Sequence, residues 1–281
     1  MIAITGATGA LGGQVARLLA HLSPRLVVRD PSRAPHVGGE IRTASYDDRA
    51  AAEVALDGVT TLLLVSASES ATRRQQHRTM VEAAATAGVR HIVYTSFAGA
   101  GADATFTLGR DHGDTEQAIR NAATRTGMTF TLLRDNFYLD VLPYFADASG
   151  VIRGPAGDGR VAAVARTDVA EVAAAVLQEP EAHADVAYEL TGPEALSMTE
   201  VAARAGAVVG RALRYQEETV AAAYASRRAG YPDAADWQLD AWVSTYTAIA
   251  DGSVARVTGD VEKLTGRPAR TLEQALRAAD R

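Results

Sequence analysis

The sequence predicts an α/β fold built on a doubly wound parallel sheet, and three observations lead to this prediction. Short apolar runs alternate with stretches of helical spacing along the first half of the chain. These runs are apolar nearly throughout, which is typical of strands covered by helices on both faces. A glycine-rich turn joins the first run to the first helix. Right-handed crossovers between such units give a Rossmann-type sheet.

Six strands and three of the helices between them can be placed in order. The predicted strands are Ile2–Thr5, Arg25–Asp30, one within Glu40–Asp48, Val59–Ser68, Val89–Ser96 and Met128–Arg134. The predicted helices are Gln14–His21, Thr72–Ala87 and Asp111–Thr124. We assign residues 1–135 to a single Rossmann domain on this basis.

The alternation weakens after residue 135. Thr167–Leu177 and Ser197–Val209 have helical spacing, Val186–Gly192 resembles a strand, and the remainder is mostly helical. We expect residues 136–281 to form a smaller, mostly helical C-terminal substrate lobe, with some segments packing back on the main sheet. For Trp237–Gly252 three interpretations stay open: a lid, a dimer face or a buried helix.

Composition excludes several classes of function. The net charge is −6 and both signs are spread along the 281 residues, so no basic surface for nucleic acid is expected. The arginine doublets at 73–74 and 227–228 are expected to be solvated helix faces. The chain has no cysteine, which excludes disulfides and thiolate metal sites, and no metal site is predicted. We find no signal-peptide pattern and no apolar window long enough for a membrane span. We therefore expect a cytoplasmic monomer or homodimer without membrane partners.

The glycines of the first turn have the spacing of a dinucleotide cradle. Gly6 can take the tight turn, Gly9 lets the backbone approach a pyrophosphate, and Gly12 permits close packing of helix on strand. The helix N-terminus then faces the phosphates with unpaired N–H groups. The predicted cofactor contacts in this turn are Gly6, Thr8, Gly9, Ala10, Leu11 and Gly12. The stretch resembles the TGxxGxxG signature of the short-chain dehydrogenase/reductase superfamily, which implies an NAD(P)-binding domain.

The end of the second strand indicates which dinucleotide is bound. An NAD-specific site usually has an acid there for the ribose 2′-hydroxyl. Here Arg29 comes first and Arg33 follows, and guanidinium groups suit a 2′-phosphate. Asp30 is the opposing observation, because it could serve the ribose of NAD. We predict that NADP(H) is preferred and that NAD(H) is possible.

The usual proton donor of the superfamily is missing. Most short-chain reductases use a Tyr-x-x-x-Lys pair, in which the lysine lowers the pKa of the tyrosine. The only lysine of this chain is Lys263, far along the C-terminal half. Leu108 and His112 stand about where the tyrosine and lysine would be.

The missing Tyr-x-x-x-Lys pair limits the resemblance to one branch of the superfamily. The segments HIVYTSFAG, RDHGDTEQAIR, FTLLRDNFYLD and GPAGDGRVAAVARTDVAEVAAAVL resemble the atypical, NmrA-like branch, and within it the bacterial NADPH-dependent quinone oxidoreductases. The resemblance implies that Ser66 and Ala67 lie over the adenosine ribose and diphosphate, and that Thr95 and Ser96 face the nicotinamide. It implies a substrate cleft lined by Phe97, Asn136, Phe137 and Tyr138. His112 and Ser96 are the candidate catalytic residues.

The chemistry of quinones fits a site without a tyrosine acid. Hydride delivery to a simple ketone creates an alkoxide with a pKa near that of water, about 15.7. Delivery to a quinone creates a phenolate-type anion with a pKa of roughly 10. The difference of about 6 units is on the order of 8 kcal/mol of charge stabilisation that the site need not supply. Water or His112 could then supply the proton, and we predict an NADPH-dependent oxidoreductase acting on a quinone or related conjugated carbonyl.

Two alternatives remain at this stage. One is a ketoreductase that tailors a polycyclic aromatic natural product, whose own phenols could donate protons. The other is a non-catalytic, NADP(H)-sensing regulator of the NmrA type. The partner in the two enzyme interpretations is a small aromatic or quinone molecule.

Overall fold

The computed structural model describes residues 1–279 of the chain. The strands are β1 (Ile2–Thr5), β2 (Arg25–Val28), β3 (Ile41–Thr43), β4 (Thr61–Leu64), β5 (His91–Phe97), β6 (Thr129–Asp135), β7 (Val151–Gly154), β8 (Arg160–Val161), β9 (Val186–Leu190), β10 (Leu196–Ser197) and β11 (Arg214–Glu217). The α-helices are α1 (Ala10–Leu18), α2 (Arg49–Leu56), α3 (Arg73–Thr86), α4 (Thr107–Thr126), α5 (Arg166–Gln178), α6 (Met198–Val209), α7 (Val220–Gly230), α8 (Asp236–Ala250), α9 (Asp260–Thr265) and α10 (Leu272–Ala279).

A seven-stranded sheet has the order β3-β2-β1-β4-β5-β6-β9. Strands β3, β2, β1, β4 and β5 pair in parallel, with Ile4 beside Leu26 on one side and Leu63 on the other. The direction in which successive strands are added changes between β1 and β4. In open α/β sheets this switch point is where ligands bind, beyond the carboxyl ends of the strands. The predicted Rossmann-type sheet is confirmed.

Two compact units make up the described chain. One contains residues 1–97, 111–134 and 169–188, and the other contains residues 98–110, 135–168 and 189 onward. In the first unit, apolar side chains of β4, β5 and β6 pack with those of α3 and α4 in one buried cluster that includes Leu62, Ile92, Leu132, Met80 and Ile119. Strand β9 joins the main sheet although it lies after residue 135. The assignment of coenzyme and substrate to separate domains stays a prediction.

The second unit has its own small sheets and its own buried helix. Strands β7 and β11 pair in parallel, and β8 and β10 pair antiparallel. Helix α8 covers most of the segment Trp237–Gly252, for which the sequence leaves a lid, a dimer face or a buried helix open. Several of its side chains, including Leu239, Val243 and Ile249, are almost completely buried. The buried-helix interpretation therefore describes this segment.

Several element boundaries differ from the sequence prediction. Helix α1 begins at Ala10 instead of Gln14, and α4 begins at Thr107 instead of Asp111. Helix α2 was not predicted, because RAAAEVAL is short and carries few large apolar side chains. Strand β2 ends at Val28, so Arg29 and Asp30 lie beyond it.

No helix within residues 1–279 is both long and apolar enough to cross a membrane.

Candidate functional site

The glycine turn after β1 has the geometry that its sequence predicts. Gly6 has φ of +63°, in the region that favours glycine, and the Gly9 N–H donates to its carbonyl oxygen at 2.9 Å. A β-carbon at residue 12 would overlap the Gly6 carbonyl oxygen and lie 2.9 Å from that of Thr5. Gly9 is the N-cap of α1, and no side chain of the described residues caps it. The helix N-terminus is therefore left without a side-chain acceptor, as an anion site requires.

A cavity of about 300 Å³ opens at the carboxyl ends of β1, β2, β3 and β4. Its lining includes Gly6, Thr8, Gly9, Arg29, Ser66 and Ala67. Each of these residues follows a strand of the parallel sheet, so the cavity lies at the switch point of the sheet. Its volume is at the lower end of the range for small-molecule sites, which suits one part of a dinucleotide.

The two residues after β2 have different surroundings. Arg29 is exposed and lines the cavity. The carboxylate of Asp30 accepts hydrogen bonds from the Ser32 N–H at 3.0 Å and the Ser32 hydroxyl at 2.6 Å, which caps the turn Pro31–Arg33. Arg33 lies exposed in that turn. Both hydrogen bonds engage Asp30 Oδ1, so this oxygen serves the loop, and the role of Asp30 toward a ribose stays a prediction.

The loop after β4 is held by buried side chains of its neighbours. The Ser66 N–H donates to the Thr95 hydroxyl at 2.8 Å. The Ala67 N–H donates to His77 Nε2 at 2.8 Å, and the Ala67 carbonyl accepts from Arg73 Nε at 2.9 Å. Thr95, predicted to face the nicotinamide, is buried and its hydroxyl supports this loop; its role toward the nicotinamide stays a prediction.

His112 lies in a buried polar cluster and is shielded from solvent. Its Nε2 accepts from Arg73 Nη2 at 3.0 Å, and its Nδ1 lies 2.9 Å from the Tyr94 hydroxyl. Burial, with a contribution from the Arg73 charge, lowers the pKa of His112 well below its ordinary value. Burial also lowers the pKa of the neighbouring His77 to about 3. Both imidazoles are therefore neutral at physiological pH.

The expectation that both arginine doublets are solvated is wrong. Arg73 is only 4% exposed, whereas Arg74 is exposed and pairs with Asp111 at 2.5 Å. Arg227 is largely buried against Glu218 and the Tyr246 ring, whereas Arg228 is exposed. In each doublet the two residues point to different sides of a helix, and a pair of charges in sequence does not reveal which one faces inward.

Ser96 is completely buried and donates its hydroxyl to Glu116 Oε1 at 2.6 Å. Arg134 binds the same carboxylate with two hydrogen bonds, of 2.8 and 2.7 Å. Sequence reasoning missed Glu116, because nothing local marks a helical glutamate as buried. The catalytic role of Ser96 stays a prediction, and in this structure its hydroxyl donates to the carboxylate of a partly buried ion pair.

The predicted substrate residues divide between the two units. Phe97, in the first unit, is buried with its ring centroid 6.0 Å from that of His112. Asn136, Phe137 and Tyr138 follow β6 in the second unit.

The side chain of Asn136 bonds to the Val254 carbonyl at 2.9 Å and to the Phe137 N–H at 2.8 Å. Phe137 and Tyr138 are half-buried, and the Tyr138 hydroxyl donates to Asp135. Burial, together with the Asp135 carboxylate, raises the pKa of Tyr138 well above its ordinary value. The role of these residues toward a substrate stays a prediction.

A parallel sheet with a glycine turn at its switch point, and a cavity across the ends of four strands, defines a Rossmann protein of the dinucleotide-binding class. Comparison with known proteins assigns it more narrowly. The chain belongs to the NmrA-like family, whose model matches residues 1–268.

Relatives of known name match almost the whole chain. Quinone oxidoreductase 2 of Escherichia coli is 36% identical, with 98% of this chain and 97% of the relative covered. The crystal structure of that NADPH-dependent quinone oxidoreductase, complexed with NADPH, matches with a TM-score of 0.88 at 34% identity and covers 100% of both chains.

Two further relatives act on other acceptors. An NAD(P)H azoreductase of Xenophilus azovorans is 34% identical, with 99% of this chain and 97% of the relative covered. A (4-alkanoyl-5-oxo-2,5-dihydrofuran-3-yl)methyl phosphate reductase of Streptomyces griseus is 37% identical, with 96% of this chain and 94% of the relative covered.

Proposed function

We propose that this protein is an NADPH-dependent oxidoreductase that reduces a quinone or a related conjugated carbonyl compound. The observation that carries the proposal is the match, over the entire chain, to an NADPH-dependent quinone oxidoreductase with the same fold. The cavity at the switch point and the lack of a Tyr-x-x-x-Lys pair support it independently.

The residues around the cavity fit a dinucleotide phosphate. The space above Gly12 admits no β-carbon, and the N-terminus of α1 has no competing side-chain acceptor. The N–H groups at Ala10, Leu11 and Gly12 would hold the pyrophosphate, and the Arg29 guanidinium would hold the 2′-phosphate. Ser66 and Ala67 would contact the adenosine side. When bound, NADPH supplies the hydride.

The residues of this chain favour the reduction of some acceptors over others. Neither the Leu108 nor the His112 position supplies a strong proton donor. Leucine has no ionisable group, and His112 is neutral with both ring nitrogens in hydrogen bonds. An acceptor whose reduction leaves a delocalised anion needs no strong acid beside it. We propose that water supplies the proton and that the site acts mainly by orientation.

One relative favours a second candidate acceptor. The Streptomyces griseus reductase is named for a furanone that carries an alkanoyl group, which is a natural-product-like conjugated carbonyl. A tailoring reductase acting on such a compound needs the same coenzyme site and the same tolerance for a missing acid. Quinone reduction is our first choice because both the sequence match and the structural match name it.

A panel of acceptors tests the proposal. NADPH oxidation is followed with small benzoquinones and naphthoquinones, an azo dye, a conjugated furanone and a polycyclic aromatic ketone. We expect the quinones to give the highest kcat/KM. Turnover of the furanone or the ketone alone would favour the tailoring reductase. NADPH binding without turnover of any acceptor would favour a coenzyme-sensing regulator.

A further inference from the structure

A single buried guanidinium joins the loop of the coenzyme cavity to His112. Arg73 Nε donates to the carbonyl of Ala67, a residue that lines the cavity. Arg73 Nη2 donates to His112 Nε2. Its Nη1 is buried without a hydrogen-bond partner among the described residues and lies 3.6 Å from Asp111 Oδ2. Burying a charge is costly unless it is paired and hydrogen-bonded, so losing one of these partners would leave another polar group buried and uncompensated.

The two contacts of His112 determine where its proton lies. A guanidinium can only donate, so His112 Nε2 must be the acceptor. The proton of the neutral ring is then on Nδ1, and the Nδ1–H donates to the Tyr94 oxygen at 2.9 Å. The same reasoning applies to His77, whose Nε2 accepts from the Ala67 N–H and whose Nδ1–H donates to Thr115 at 2.8 Å.

We propose that Arg73 is a positioning residue, which fixes the Ala67 peptide in the wall of the coenzyme cavity and also fixes His112 as the Nδ1–H tautomer that donates to Tyr94. This inference rests on the proposed coenzyme site. The chain has no lysine in this region, and Arg73 places a fixed positive charge two hydrogen bonds away from the Tyr94 oxygen. Neither Arg73 nor Tyr94 stands out in the sequence as part of a site.

The titratable and charged groups around His112 come from three elements. Arg73 and His77 approach from α3, Tyr94 from β5, and Asp111 precedes it on α4. Without the Arg73 charge, none of these groups places a fixed positive charge beside the His112 ring. His112 is then expected to accept a proton at a higher pH and to populate its Nε2–H tautomer.

The experiment is long-range ¹H–¹⁵N NMR of the full chain with ¹⁵N-labelled histidine. The His112 signals are assigned by their loss in His112→Gln. We expect wild-type His112 to be protonated on Nδ1 and to remain neutral through mildly acidic pH. In Arg73→Met, the Nε2–H form should appear and the pKa of His112 should rise. NADP⁺ affinity, measured by calorimetry, should fall by about tenfold, as expected when a hydrogen bond to a charged group is lost.

Two further variants make the result specific. Arg73→Lys keeps the charge and should restore most of the NADP⁺ affinity and keep His112 neutral. Arg74→Met removes the neighbouring arginine, which shares Asp111 but touches neither Ala67 nor His112, and should behave as wild type. The wild-type spectrum reports the tautomer by itself. The inference can therefore still be overturned even if Arg73→Met does not fold.

A wild-type His112 protonated on Nε2 would overturn the inference. So would a folded Arg73→Met protein with an unchanged tautomer and unchanged NADP⁺ affinity. These outcomes are independent of turnover: a protein that reduces no quinone can still have the Nδ1–H tautomer, and an active enzyme can lack it.

Discussion

The carbonyl oxygen of Gly6 lies so close to the Cα of Gly12 that no β-carbon fits at residue 12. This contact sets the distance between the turn after β1 and the first turn of α1. It therefore also sets the position of the N–H groups that would hold the pyrophosphate.

Replacing Gly12 by alanine should damage both stability and coenzyme binding. The added carbon meets backbone on two sides, so the helix must move, and overpacking of this kind costs about 1–3 kcal/mol. We expect Gly12→Ala to lower the free energy of unfolding in urea and to abolish measurable NADPH binding in calorimetry. Gly230→Ala is the matched control, because a β-carbon there meets nothing within 4 Å. Equal effects of the two substitutions would contradict the close contact.

We expect the coenzyme preference to depend on Arg29, which lines the cavity. We expect Arg29→Ala to weaken NADPH binding by about tenfold or more, which is the usual cost of losing a charge-assisted hydrogen bond. NADH binding should change little, because NADH lacks the phosphate. Arg33→Ala is a matched comparison from the exposed turn next to the cavity lining, and we expect it to have the smaller effect. Parallel titrations with NADPH and NADH measure both, and equal losses for the two coenzymes in Arg29→Ala would refute the assignment.

Ser96→Ala separates a catalytic hydroxyl from a structural one. The hydroxyl already donates to Glu116, which is held by Arg134. We expect the free energy of unfolding to fall by about 1 kcal/mol and kcat to change by no more than a few fold. A large fall in kcat with unchanged stability would instead establish the catalytic role predicted from the sequence.

Stability should fall in mild acid because of buried histidines. Burial lowers the pKa of His91 to about 4, and its ring nitrogens bond to Thr129 at 2.7 Å and Thr131 at 2.9 Å. Between the unfolded pKa of about 6.5 and the folded value, only the unfolded chain binds the proton, so stability is lost as pH falls through this window.

His91→Gln should therefore give a shallower loss of unfolding free energy between neutral pH and about pH 4 than wild type, although other buried histidines keep some slope. His36→Gln removes an exposed histidine and serves as the control, with a slope that should match wild type. Urea denaturation at several pH values measures both slopes. A His91→Gln protein with the full wild-type slope would show that His91 is not buried in its neutral form.

The main sheet could be predicted because its signals are local. The apolar runs of β1, β4 and β5 and the glycine spacing after β1 depend only on neighbours in sequence. The short strands β7, β8, β10 and β11 could not be found in the same way. They consist of two to four residues each, and they form because their partners come together in the second unit.

The hydrogen-bonded cluster around His112 could not be predicted from the sequence. The sequence identified His112 through its position in α4, but its contacts come from α3 and β5. Those elements lie 39 and 18 residues away along the chain, and only the packed structure joins them. The buried state of Arg73 was missed for the same reason, since an arginine on a helix is usually solvated.

The most direct test of the proposed function is the ratio of kcat/KM for p-benzoquinone to that for cyclohexanone, with NADPH as the reductant. The two rings have similar size, but only the quinone becomes a delocalised anion when hydride arrives. We predict rapid NADPH oxidation with the quinone and almost none with the ketone. Comparable rates with both rings would contradict this prediction, because the site would then have to contain a strong proton donor that the described residues do not provide.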